Sequence, residues 1–314
     1  MSTVKKKVAT ATKRKAAPKK KVGKKLVKKE DKIDTRLSYS SGTLIKNCEQ
    51  KYFYYKVSKV PKDKDSEQDN TAFNVGKCFH FVMEENGHTE DNLITLLDLG
   101  CKAFEVEDKK ALIHAMLLRY LQVHKKSGLK AIKCELSMSN KEFLGFIDVI
   151  LSDEDGYWYI CDLKTAARYS EITAAKLHND VQLNLYTSFY EEVAGALDLD
   201  VNKFMGARYR VTTKATLKQK ATETYVAFVK RLAGNVKSYD VIIPLGKMKP
   251  EETYKAHMRL HQRSLELRAG EVPNKNSSWC DSYFRPCEYW SQCHGSTYTE
   301  CRSDVEMLTS NNVE

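Results

Sequence analysis

Three carboxylates and one amine, Glu135, Asp148, Asp162 and Lys164, fall within a stretch rich in β-forming residues. Asp148 lies inside the apolar run from Phe143 to Leu151, and Asp162-Leu163-Lys164 ends the run that starts at Tyr157. A carboxylate in a buried strand is costly unless it is paired or binds a cation. Residues i and i+2 of a strand share a face, so Asp162 and Lys164 point one way and Leu163 the other. The acidic turn from Ser152 to Gly156 centres near Asp155, which sets Asp148 opposite Asp162. A preceding hairpin centred near Lys141-Glu142 sets Glu135 opposite Asp148. A slip of one residue in either pairing would send an acid to the other face. Like charges opposed across strands repel, so such a row asks for a cation. Hard oxygen donors suit Mg2+ or Mn2+ better than zinc. A dication that acidifies water, beside an ammonium that neutralises developing charge, is a combination suited to phosphodiester hydrolysis. Taken alone, Asp162 and Lys164 also fit an ordinary strand-end ion pair.

These side chains need a meander over roughly 131–164, and helical periodicity surrounds it. Val75, Phe79, Val82 and Met83 predict a helix from Phe73 to about Asn86, with His80 inside it. Amphipathic helices are expected at 91–106, 108–124, 173–193, 225–234 and 251–269, the last stopped by Gly270 and Pro273. A further strand is expected over 203–213. Ser residues after Leu37 offer a helix cap ahead of Thr43–Cys48. The aromatics Tyr52 to Tyr55 suit core packing or stacking on bases. Strands mixed with helices make the class α/β or α+β.

The chain has 314 residues, 42% of them hydrophobic, enough for a sizeable core. No apolar run approaches the roughly 18 residues of a membrane span, and no secretory signal opens the chain. An intracellular protein, cytoplasmic or nucleoid-associated and not secreted, is expected. Residues 1–32 carry fourteen Lys and Arg against two acids, whereas the rest holds 38 bases and 39 acids. The net charge of +11 therefore resides in a tail expected to be disordered and to attract phosphate backbones, or simply to solubilise. Nine cysteines without an export signal argue against a disulfide framework. Cys78, Cys101, Cys134 and Cys161 lie in apolar segments as small hydrophobes. Cys48 stands alone, Cys280, Cys287 and Cys293 cluster late, and Cys301 trails them.

Gly145-Phe-Ile-Asp148 followed by Asp162-Leu163-Lys164 resembles the core motif of PD-(D/E)XK nucleases. Gln182-Leu-Asn-Leu-Tyr186 resembles the Q-x-x-x-Y helix of the RecB-like branch, and Gly76-Lys-Cys-Phe-His80 its G-x-x-x-H helix. One early and three late cysteines resemble the iron–sulfur subgroup, which includes exonuclease V and CRISPR-associated adaptation nucleases. The resemblance implies an α/β, restriction-endonuclease-like core, a mixed sheet flanked by helices, with helical additions and a Cys-ligated staple. It divides the chain into a basic tail (1–36), a nuclease domain (37–301) with a helical insert at about 87–128 and a Cys-rich segment (276–301), and a polar tail (302–314).

The same resemblance implies residue roles. His80, Asp148, Asp162 and the Leu163 carbonyl would hold Mg2+ or Mn2+. Lys164 would position or activate the attacking water, and Gln182 and Tyr186, on one helical face, would touch the substrate strand or buttress the lysine. Glu135 would support the metal ligands. Outside that context His80 is also an ordinary core histidine, and Gln182 and Tyr186 an ordinary polar face. Cys48, Cys280, Cys287 and Cys293 would ligate a [4Fe–4S] cluster, with zinc and free buried thiols as alternatives. The subgroup spaces its late cysteines C-x2-C-x5-C. Here Cys287 and Cys293 keep the gap of five, but six residues separate Cys280 from Cys287, as if four were inserted around Asp281 to Phe284. The implied activity is metal-dependent DNA exonuclease action on single-stranded ends, in repair, recombination or replication. Two rivals stand beside it: a non-catalytic nucleic-acid-binding protein, and a nuclease subunit docked on a helicase or recombination partner.

Overall fold

The meander forms where apolar alternation predicts it, as β1 (Lys130–Ser139), β2 (Leu144–Ser152) and β3 (Trp158–Ala166). The computed structural model describes residues 34–63, 70–281 and 286–303, without the side chains of 171, 172 and 301–303. The basic tail over 1–32, the last residues and the side chain of Cys301 lie outside the described residues. Before the meander come α1 (Tyr39–Asn47), α2 (Glu49–Tyr52), α3 (Thr71–Glu85), α4 (Leu93–Ala103) and α5 (Lys110–Ser127). After it come α6 (Glu171–Ala175), α7 (Val181–Thr187), α8 (Tyr190–Leu197), β4 (Phe204–Thr213), α9 (Tyr225–Asn235) and β5 (Ser238–Pro244). The chain closes with α10 (Pro250–Arg268), α11 (Trp290–His294) and α12 (Tyr298–Ser303).

The five strands lie in the order β1-β2-β3-β4-β5. All neighbours are antiparallel except β3 and β4, which run parallel. A parallel pair needs a long crossover, and α6, α7 and α8 supply it. One face of the sheet (Val149, Leu151, Cys161, Leu163) packs on α3, α5 and α9 through Phe79, Met116 and Leu232. Ile150, Trp158 and Ile160 pack instead on α7 and α8 through Leu185, Phe189 and Val193. Helices on both sides explain why β3 reads as a nearly continuous apolar run. The segment 87–128, expected as an insert, supplies Ile113, Met116 and Tyr120 to the main core.

Two elements depart from the sequence reading. The helix expected over 173–193 is three, because the Asp180 carboxylate caps α7 by accepting the Leu183 N–H at 2.8 Å and Phe189 separates α7 from α8. β5 was not expected. Its Asp240 interrupts the apolar alternation and is neutralised from β4 by Arg208 at 2.9 Å and Arg210 at 2.9 Å.

Candidate active site

The site opens where β2 and β3 part. They pair from Ser152↔Trp158 to Val149↔Cys161, whereas β3 stays paired with β4 to Ala166↔Thr213. Asp148 and Asp162 occupy the next step of the β2–β3 register, as the turn centred at Asp155 predicts. Instead of a ladder bond, the Asp148 Oδ2 accepts the Leu163 N–H at 2.6 Å. Leu163 turns into the core, and its neighbours Asp162 and Lys164 meet on the other side.

Asp162 is 1% exposed. Lys164 Nζ donates to its Oδ1 at 2.8 Å. The same nitrogen is 2.7 Å from Oδ2, yet Oδ2 is a buried oxygen without a hydrogen bond. The ion pair therefore brings charge close without satisfying that oxygen's lone pairs. Burial, with the nearby Asp148, outweighs the lysine and raises the Asp162 carboxyl to about 7. Asp148 is raised as well, chiefly by burial. Lys164 is pushed above its ordinary value by the two aspartates, against the effect of its own burial.

α3 brings His80 to the acids. Its Gly76 lets the helix approach β3, since a Cβ there would stand 3.0 Å from Thr165 Oγ1. One turn later the His80 ring faces the acids, and burial lowers its pKa to about 4. His80 is therefore a neutral imidazole at neutral pH. Its Nδ1 lies 3.8 Å from Asp148 Oδ2. Glu84, four residues on, shares that helical face and raises the pKa of Glu135 together with Asp148. The sequence reading passed over Glu84, although the spacing Gly76, His80, Glu84 puts all three on one face. Glu135 lies between the pairs Cys134↔Val149 and Leu136↔Ile147, hence opposite Asp148 as expected. Its backbone is left-handed at φ 46°, and burial raises its carboxyl to about 7.

The other wall is α7. Gln182 Nε2 donates to Tyr186 Oη at 3.1 Å, so the pair shares one helical face. Tyr186 is 6% exposed; burial first, then the fields of Asp162 and Asp148, lift its phenol to about 12. Neither side chain has a described hydrogen bond to Lys164. Tyr209 of β4, paired with Asp162, and Tyr39 of α1 also sense Lys164 and Asp162. They come from distant parts of the chain, and no local pattern announced them.

The sequence model of the PD-(D/E)XK nuclease superfamily matches residues 36–294. The chain belongs to that superfamily. The mixed sheet flanked by helices agrees with its restriction-endonuclease-like α/β fold. No curated protein sequence matches. A solved structure described as "Crystal structure of SSO0001" is 11% identical, covers 74% of this chain and 89% of its own, and has a TM-score of 0.27, too low to carry any argument.

PD-(D/E)XK nucleases usually work with divalent metals. The donors here fit one: the buried Asp162 with its unsatisfied oxygen, the half-buried Asp148 and a neutral histidine are the hard and borderline ligands such ions take. Their side chains are turned to protein partners, Asp148 to Leu163 and Asp162 to Lys164. Among the described residues no three His, Cys, Asp or Glu groups converge in ligating geometry.

The cysteine expectation divides in space as it does in sequence. Cys78, Cys101 and Cys161 are buried in the core. Cys48, Cys280, Cys287 and Cys293 line one cavity of about 100 Å3 together with Tyr54, Tyr289 and Trp290. Burial raises the Cys280, Cys287 and Cys293 thiols, and their mutual proximity adds to it. The Cys287 N–H donates to the Cys280 carbonyl at 2.6 Å, which holds the two cysteines together. Polar bonds already tie this corner together. Arg263 of α10 grips Glu49 at 2.9 and 2.8 Å, and Asn276 Nδ2 donates to the Asn47 carbonyl at 2.8 Å.

Proposed function

We propose that the chain is a metal-dependent deoxyribonuclease of the RecB-like branch that removes nucleotides from single-stranded DNA ends. One observation carries the reading: α3, β2 and β3 bring His80, Asp148, Asp162, Leu163 and Lys164 into one cluster at a break in the sheet. His80, Asp148, Asp162 and the Leu163 carbonyl would hold Mg2+ or Mn2+. The chemistry such an ion supplies is Lewis-acid stabilisation of the phosphate and acidification of water. Lys164 keeps its proton and offers positive charge where charge develops on the phosphate. Gln182 and Tyr186 orient the strand from α7, and Glu135 and Glu84 hold negative potential behind Asp148. Cys48, Cys280, Cys287 and Cys293 would ligate a [4Fe–4S] cluster with a structural role, joining the turn after α1 to the last segment; four thiols in one cavity support it. The basic segment 1–32 adds sequence-independent attraction to DNA. An intracellular role in repair, recombination or replication, with a helicase or recombination partner, suits such an activity. Among the described residues no helix is long and apolar enough to cross a membrane.

Degradation of 5′- and 3′-labelled single and double strands tests the reading. Cleavage should need Mg2+ or Mn2+, stop with chelator, and fall at least about a hundredfold in Asp162→Asn and Lys164→Ala. Cleavage that survives chelation or either substitution would remove the proposed site.

A further inference from the structure

Lys164 and His80 also line a cleft of about 670 Å3, and the hydrolytic chemistry leaves its Phe73, Lys77 and Lys214 without a task. Phe73 and Lys77 of α3 form one wall; Lys164, Thr165 and Lys214 form the other. Phe73 is 63% exposed, whereas Val75, Phe79 and Val82 of the same helix are at most 2% exposed. A single exposed ring is ordinary on a protein surface, but this one sits among ammonium groups. Lys77 Nζ stands 4.5 Å from its centroid, a cation–π contact that leaves much of the ring open. Lys214 Nζ donates to the Ala72 carbonyl at 2.7 Å, so its charge is fixed at the start of the helix. Glu84 is the one acid among the described residues of the lining. An open aromatic face flanked by fixed cations is how proteins hold unpaired nucleotides: the base stacks and the phosphates meet the charges. A base inside a duplex has no free face to offer.

Resting on the nuclease reading, we propose that this cleft seats an unpaired nucleotide next to the scissile phosphate, with its base on Phe73 and its phosphates on Lys77 and Lys214. Single-strand preference then originates in α3, on the side of Lys164 away from the Gln182–Tyr186 helix.

The test is binding of the full chain to single strands in chelator, so that no cleavage occurs, at salt high enough to suppress non-specific attraction. Phe73→Ala should weaken binding roughly tenfold or more, and Phe73→Trp should restore it. Strands carrying one abasic site, moved stepwise from either end, should include a position where the unsubstituted protein loses as much and Phe73→Ala loses nothing further. Lys77→Gln and Lys214→Gln should each shallow the salt slope by about 0.7. Unchanged binding in Phe73→Ala, or an equal loss on intact and abasic strands at every position, would overturn the stacking site. Two unchanged slopes would overturn the phosphate contacts. Because the binding arm contains no metal, absence of metal-dependent cleavage would sink the nuclease reading without altering this result.

Discussion

At the scale of single residues, the site depends on glycines as much as on its charged groups. A Cβ on Gly145 would stand 2.5 Å from Phe143 Cζ and 3.0 Å from Tyr186 Cε1. Phe143 cannot yield, being fully buried, 4.9 Å from Phe189 and 5.5 Å from His257 between ring centroids. Gly145→Ala should therefore cost about 1–3 kcal/mol and push Tyr186 off its place over the acids. A lower denaturant midpoint together with slower cleavage is the expected outcome; an unchanged midpoint would show the packing to be slack. The acids were legible in the sequence because counting outward from two turns fixes their partners, and both registers are found as counted. Tyr39 and Tyr209 were not legible. Each reaches the site through a fold-level neighbour, Tyr209 by the parallel pairing of β4 with β3, and nothing near them in the chain marks them.

At the scale of elements, periodicity was a good guide wherever a helix or strand has one apolar side. α3, α9 and α10 lie within a few residues of their expected limits. It failed where local or paired polar groups decide. Asp180 starts α7 by capping it, which cuts one expected helix into pieces. Asp240 disguises β5, since its charge is answered only by Arg208 and Arg210 on the neighbouring strand. The cysteine corner is an assembly of ends, joining the turn between α1 and α2 to α11 and the segment before it. Protein purified without oxygen should be brown and contain iron, and Cys287→Ser should lose both iron and several degrees of thermal midpoint. The Glu49–Arg263 and Asn47–Asn276 bonds should keep that variant folded. Colourless protein with stoichiometric zinc would overturn the cluster.

At the scale of the whole molecule, the core behind the sheet is held by a polar network as well as by apolar packing. Arg210, 1% exposed, donates to Asp240 at 3.0 Å, to Tyr120 at 3.2 Å and to Ser127 at 2.9 Å. Its Nη1 is 2.6 Å from His124 Nδ1, which must be unprotonated to accept. His88 lies 2.6 Å from the Tyr120 hydroxyl. Burial first, then neighbouring positive charge, lowers His88 to about 3 and His124 to about 4. In the unfolded chain both titrate near 6.5, so below that pH the unfolded state binds the extra protons. The stability they contribute is complete above about 6.5 and is lost as pH falls toward 4, by up to about 1.4 kcal/mol per pH unit for each histidine. His88→Gln should flatten that slope by one proton's worth in denaturant titrations between pH 4 and 6.5; an undiminished slope would contradict the burial argument.

The backbone bond from Cys287 to Cys280 has a consequence for how relatives are found. Two cysteines joined through their main chains keep their thiols neighbours whatever number of residues separates them, and loop length itself costs little. A search that demands a set interval between those cysteines would pass over proteins that build the same pocket, whereas one that tolerates any interval there would collect them.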